Sequence, residues 1–142
     1  MMRAMSAAAP PPRAALPPFI GFLLVGTGGF IVDAGTLSLY LWVVPEGFLT
    51  GRLLSFFIAV TFTWYLNRRF TFAAPEPPSF REWARFVAVN LIGGGVNVAV
   101  YSVLVSQSDQ FRALPVLAVA MGSVAGLLVN FMGASRIVFR TP

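Results

Sequence analysis

Between Phe19 and Val44 only one side chain is charged, Asp33, and the next three stretches, about 51–70, 85–105 and 114–136, carry charge only at their ends. A helix needs about 20 mainly apolar residues to cross the hydrocarbon core of a bilayer. The chain therefore reads as an all-α integral membrane protein with four transmembrane helices, about 19–44, 51–70, 85–105 and 114–136. Charged residues make up 11% of the sequence, against about 25% in a soluble domain. At 142 residues, four spans leave no room for a soluble catalytic domain.

The segments between the spans read as breaks or interfacial pieces. Pro45, Glu46 and Gly47 end the first helix. Ala73 to Ser79 is a Pro-rich connector, and Phe80 to Phe86 reads as a short interfacial segment holding Trp83, a side chain suited to the headgroup region. Ser106 to Gln110 is a polar loop, and Pro115 suits the first turn of the last helix. Residues 1–18 are rich in Ala and Pro and are expected to form a disordered cytoplasmic tail. The apolar stretch that follows exceeds the roughly 7–15 residues of a signal-peptide core, so it is expected to stay as a membrane helix.

All ten basic residues are arginines. A codon bias that also enriches Ala, Gly and Pro accounts for that choice, although Arg is also suited to bidentate phosphate binding. Their positions say more than their sum. Arg3, Arg13, Arg68, Arg69, Arg81, Arg85, Arg136 and Arg140 fall on one side of the four-span arrangement, and only Arg52 and Arg112 fall on the other. Arginine and lysine collect on the cytoplasmic side, so both termini are expected there. The net charge of +5 is read as this asymmetry and not as a nucleic-acid surface.

The chain also reads as one hairpin written twice. Phe22, Val25, Gly29 and Val32 recur as Phe86, Val89, Gly93 and Val96, and Arg69-Phe70-Thr71-Phe72 recurs as Arg136-Ile137-Val138-Phe139. Two complete hairpins return the chain to the same side, so the repeats are expected to be parallel copies. Internal repeats of this kind are common in transport proteins. The copies differ at one place, where Asp33 of the first meets Asn97 of the second.

Without cysteine or histidine, thiol chemistry, disulfides and the usual zinc sites are excluded, as is the commonest general base near neutral pH. The acids are Asp33, Glu46, Glu76, Glu82 and Asp109. No nucleophile–base set stands out, no metal or other cofactor is expected, and an enzyme is the weakest reading. No phosphate-loop motif is present, which argues against ATP coupling within the chain.

Asp33 lies about 16 Å along the helix from Phe22, near the membrane middle. A carboxylate there costs a few kcal/mol, so it should face the bundle or a polar cavity. It is either a substrate or proton site or an interhelical hydrogen-bonding group. Asn90, Asn97 and Asn130 add amides within the spans and, taken singly, read first as helix-to-helix hydrogen bonds. Ser55 and Ala59 correspond to Gly122 and Gly126, giving each second helix a small-residue face for close packing. Asn67-Arg68-Arg69-Phe70-Thr71-Phe72 ends a helix with two arginines between aromatics. It is either a clamp for a lipid phosphate or ordinary positive-inside anchoring.

At these residues the chain resembles the GtrA-like family of small four-helix bacterial membrane proteins. The resemblance covers about residues 19–140. It rests on Phe22 to Asp33 with its glycines, Asn67 to Phe72, Arg85-Phe86, Asn130-Phe131 and Arg136 to Phe139. Phe70 stands where the family usually has Trp, and Ala134-Ser135 stand where a second Asn-Arg often occurs. The second copy is thereby weakened.

The resemblance implies a flippase in the bacterial cytoplasmic membrane. It would carry a polyprenyl-phosphate-linked monosaccharide, made by a glycosyltransferase partner, to the outer leaflet for cell-surface polysaccharide. Asp33, Asn67, Arg68, Arg69, Asn97, Asn130 and Arg136 are the expected substrate-binding residues, with Asn90 joining Asp33 and Asn97 in the sugar track and Arg52 and Arg112 at the outer landing. Four helices make a small enclosure for a sugar, so a homo-oligomer, with a dimer favoured, is expected. Two other readings compete. One is a proton-coupled small-multidrug-type exporter, which the one-sided arginines disfavour. The other is a membrane scaffold that recruits the glycosyltransferase.

Overall fold

A computed structural model of the chain describes residues 16–140. Most of the expected disordered tail, with Arg3 and Arg13, lies outside the described residues. Within them the elements are α1 (Pro18–Val43), α2 (Phe48–Leu66), α3 (Phe80–Gln107), a short α4 (Asp109–Ala113) and α5 (Pro115–Gly133). Both α2 and α5 run on into a single π-helical turn, at Asn67–Thr71 and at Ala134–Val138 respectively. Four of these helices are long and apolar enough to cross a membrane.

The ends of the spans follow from local chemistry. Pro18 opens α1, where its missing N–H leaves no helix bond unmade. α3 begins at Phe80, because the Ser79 hydroxyl accepts the Glu82 N–H at 3.1 Å and caps the first turn. The expected interfacial segment Phe80 to Phe86 is thus continuous with the third span. The expected polar loop at Ser106 to Gln110 is mostly helical. There Arg112 closes the end of α3, with Nε on the Val105 carbonyl and Nη2 on the Ser106 carbonyl, both at 2.9 Å. Its third donor, Nη1, reaches Asp109 at 2.9 Å.

α1 lies along α2, and α3 lies along α5. Each pair is one of the two expected hairpins. Their small-residue faces are buried inside them: Ser55, Ala59, Gly122 and Gly126 are all covered. A Cβ on Gly126 would lie 2.6 Å from the Gly93 carbonyl oxygen, so the glycine is what lets α3 and α5 approach. Large apolar side chains such as Phe30, Trp42 and Val116 point outwards, the arrangement lipid contact requires.

The hairpins meet at one end of the bundle. Phe22 from the start of α1, Phe72 after the first π turn, Phe86 from the start of α3, and Phe131 and Phe139 from the end of the last span form an aromatic cluster there. Phe86 is fully buried, and Phe72 stacks on Phe139. These last two are counterparts in the repeat, so the hairpins touch through equivalent residues.

Candidate functional site

A cavity of about 240 Å³ lies between the hairpins, lined from α1, α2, the first π turn, α3 and α5. Its walls are mostly apolar, with Phe22, Phe56, Phe86 and Leu127 among them. Asp33, Thr63, Asn67, Asn90 and Asn130 give it its polar groups. The lining extends from Phe22, in the aromatic cluster, to Asp33, so it spans about 16 Å of helix α1.

Asp33 is held from one side. Its Oδ2 accepts from Arg52 Nη1 at 2.5 Å, and the same Nη1 lies 3.4 Å from the Ser55 hydroxyl. Arg52 sits in the first turns of α2 and extends its side chain back to the carboxylate. The other carboxylate oxygen, Oδ1, is buried with no hydrogen-bond partner, and so is Oδ1 of Asn130. Both residues line the cavity, although Asn130 Oδ1 itself packs against Gly93, where a Cβ would overlap it. Leaving such groups unmet costs about 1–3 kcal/mol each.

Asn67 is 1% exposed, and its Oδ1 accepts the Thr71 hydroxyl at 2.9 Å across the π turn. A π turn is a frequent mark of functional sites, and Asn67, the first residue of this one, lines the cavity. Asn90 donates to the Phe86 carbonyl at 2.9 Å. Asn97 is not among the cavity's lining residues. It lies against α5, where a Cβ on Gly122 would sit 2.6 Å from both its backbone and side-chain oxygens. The duplicate position of Asp33 is thus used for packing.

Beside the aromatic end, Arg68 is almost enclosed, with a side chain 7% exposed. Its Nε pairs with Glu82 at 3.5 Å, and Trp64 Nε1 donates to the same Glu82 oxygen at 2.8 Å. Arg68 Nη1 reaches the Ala74 carbonyl at 3.4 Å, while Nη2 is buried without a partner. Arg68 and Arg69 line a second cavity of about 260 Å³ with Tyr65, Ala74, Glu76 and Pro78. The Arg69 guanidinium lies 5.7 Å from the centre of the Phe70 ring, a distance at which cation and ring attract. A clustered pair of arginines with one free buried donor is suited to a phosphate.

Residues 21–139 match the family described as GtrA/DPMS, transmembrane domain. The chain belongs to this family. No curated protein matches it. The match runs from one residue before Phe22 to Phe139, and so takes in both hairpins and every residue of the cavity. Membership makes the chain a membrane protein related to polyprenyl-phosphate sugars.

The expected site residues thus separate into groups. Asp33, Asn67 and Asn130 share the central cavity with Asn90, and Arg68 and Arg69 share the neighbouring one. Arg136 lines neither; it lies in a groove between α3 and α5. Arg112, expected at an outer landing, has its donors engaged in closing α3. Two partners were not anticipated. The sequence points Arg52 to the landing, yet its side chain reaches Asp33, and it is the only basic residue near the far end of that hairpin. Glu82 reads in the sequence only as one of five acids, yet it is the group that pairs with Arg68. In this GtrA/DPMS chain Ala134, fully buried, takes the repeat position of Asn67, so the second π turn presents no amide.

Proposed function

We propose that this GtrA/DPMS protein moves a polyprenyl-phosphate-linked monosaccharide from the inner to the outer leaflet of the bacterial cytoplasmic membrane, for use in cell-surface polysaccharide. The observation that carries the reading is the pair of buried acceptors, Asp33 Oδ1 and Asn130 Oδ1, without partners in one cavity between the hairpins. Sugar hydroxyls are donors of the right kind, and the amides of Asn67 and Asn90 add further partners. The aromatic and aliphatic walls suit the apolar faces of a sugar ring.

In this reading the arginine-rich end of the bundle is cytoplasmic. Arg69 and the free Nη2 of Arg68 take the lipid phosphate there, with Glu82 holding Arg68 in place. The polyprenyl chain stays in the bilayer while the sugar enters the polar cavity. Asp33, held by Arg52, forms its far wall. The chain acts as a transporter and not as an enzyme, and consumption of the sugar on the outer face draws transfer forward without ATP.

Arg52 already occupies one oxygen of Asp33, which disfavours the exporter reading, because that mechanism needs a carboxylate free to exchange protons with cations. A recruiting scaffold makes a different demand, since it would tolerate Asp33→Asn and still pull down its glycosyltransferase.

The test is transfer of a polyprenyl-phosphate monosaccharide across proteoliposomes holding the full chain. Transfer above protein-free vesicles is expected, with loss in Asp33→Asn and in the double variant Arg68→Ala, Arg69→Ala. No transfer by well-folded protein would sink the proposal, and full activity of the double arginine variant would remove the phosphate site.

A further inference from the structure

Arg136 stands apart from the other candidate arginines. It is exposed and forms no ion pair among the described residues. It closes one end of a groove of about 370 Å³ between α3 and α5, whose other lining residues, Val89, Ile92, Val129, Met132, Gly133 and Ile137, are all apolar. From Val129 to Arg136 the groove follows α5 and its π turn for about 10 Å. Ile92 and Ile137 are 60% and 59% exposed, so the groove opens towards lipid.

The same groove exists in the other hairpin. Val89, Ile92, Gly133 and Ile137 are the repeat counterparts of Val25, Gly28, Leu66 and Phe70, and those four line a groove of about 450 Å³. The hairpins therefore build one trough twice but place the repeated arginine differently. In the first copy Arg69 stands over Phe70 and joins Arg68 in the polar pocket. In the second copy Arg136 lines the trough itself.

We infer that the α3–α5 groove is a separate lipid seat for sugar-free polyprenyl monophosphate, with Arg136 on the phosphate and the apolar lining on the first isoprene units. The inference rests on the proposed function for the identity of the lipid. In that reading polyprenyl monophosphate is the lipid that the glycosyltransferase charges on the cytoplasmic face, the face on which Arg136 lies, and this groove has the features to hold one. It offers a cation at its end and a channel for one chain. It offers no acceptor for sugar hydroxyls, unlike the cavity lined by Asp33 and the asparagines. A two-chain phospholipid would leave one chain outside.

The test measures binding of undecaprenyl monophosphate to the full chain in nanodiscs by native mass spectrometry. Three variants are compared: Arg136→Gln, Ile92→Trp, which fills the groove from its lipid-facing wall, and Arg81→Gln, which removes an exposed arginine outside the groove. Arg136→Gln and Ile92→Trp are each expected to weaken binding about tenfold, the loss of one charge-assisted contact or of the chain's seat. Arg81→Gln is expected to bind as the parent does, and excess phosphatidylglycerol to compete poorly. Parent-like binding by Arg136→Gln would overturn the inference. Equal loss in Arg81→Gln, or equal competition by phosphatidylglycerol, would do the same by reducing the effect to surface charge. Intact, Arg136-dependent binding in a protein that fails the vesicle assay would remove the transport reading and leave the seat standing.

Discussion

The rings of Phe72 and Phe139, each the residue that follows a π turn, stack with centroids 4.9 Å apart and planes inclined by 19°. They are repeat counterparts, so the contact lies where the two hairpins face each other. A stacked aromatic pair contributes about 0.5–1.5 kcal/mol beyond its area. Phe139→Leu keeps the bulk and loses the stack, and is expected to lower the thermal midpoint in detergent by a corresponding amount. A variant as stable as the parent would show that the hairpins are held together elsewhere.

Asp33 and Arg52 are joined within the first hairpin, so their substitutions should not add. Arg52→Gln alone leaves the carboxylate without its partner and is expected to destabilise the protein by about 1–3 kcal/mol. Asp33→Asn combined with Arg52→Gln removes both charges and should be the milder change. Unfolding curves for the two singles and the double give the coupling directly, and additive effects would mean the pair is not formed in the folded protein.

Arg68 is distinguished from a point charge by having three roles at once: Nε on Glu82, Nη1 on Ala74 and Nη2 free. Lysine cannot reproduce that fork. Arg68→Lys is expected to lose transfer in proteoliposomes nearly as fully as Arg68→Ala, while Arg69→Lys retains part of it. Equal, substantial activity in both lysine variants would reduce the pair to simple membrane anchoring.

Gly93 and Gly94 are neighbours with opposite environments. A Cβ on Gly93 would overlap the Asn130 amide, whereas one on Gly94 meets nothing within 4 Å. Gly93→Ala is expected to cost about 1–3 kcal/mol by forcing α3 and α5 apart. Gly94→Ala should be neutral or slightly stabilising, since alanine favours the helix. Parallel thermal melts decide the matter, and equal sensitivity at both positions would contradict the packing described.

Much of this arrangement was legible in the residues. Span lengths follow from bilayer thickness, and the small faces at Ser55, Ala59, Gly122 and Gly126 follow from the need for close approach. Their burial bears out that reading. Trp83 and the charges around it suggest an interface and a span starting near Arg85, whereas α3 begins at Phe80. The Ser79 cap three residues before Glu82 was the signal that would have corrected it. The partner of Asp33 required knowing how far an arginine can reach back along α2. Arg136 was grouped with Arg69 because the repeat makes them counterparts. Sequence equivalence fixes a helical position, but the neighbours decide which groove a long side chain enters. Likewise Asn97 matches Asp33 in register, yet the close approach of Gly122 uses it for packing.

The small-residue faces have one further consequence, for self-association. Because they are covered inside the hairpins, they are not available to a second copy of the chain. The glycines with open surroundings are Gly26, Gly35, Gly94 and Gly95, and of these Gly26 lines the central cavity. Any dimer built on close backbone contact must therefore recruit a different set of glycines from the set that folds the monomer. In such a dimer, folding and assembly would be written in separate residues.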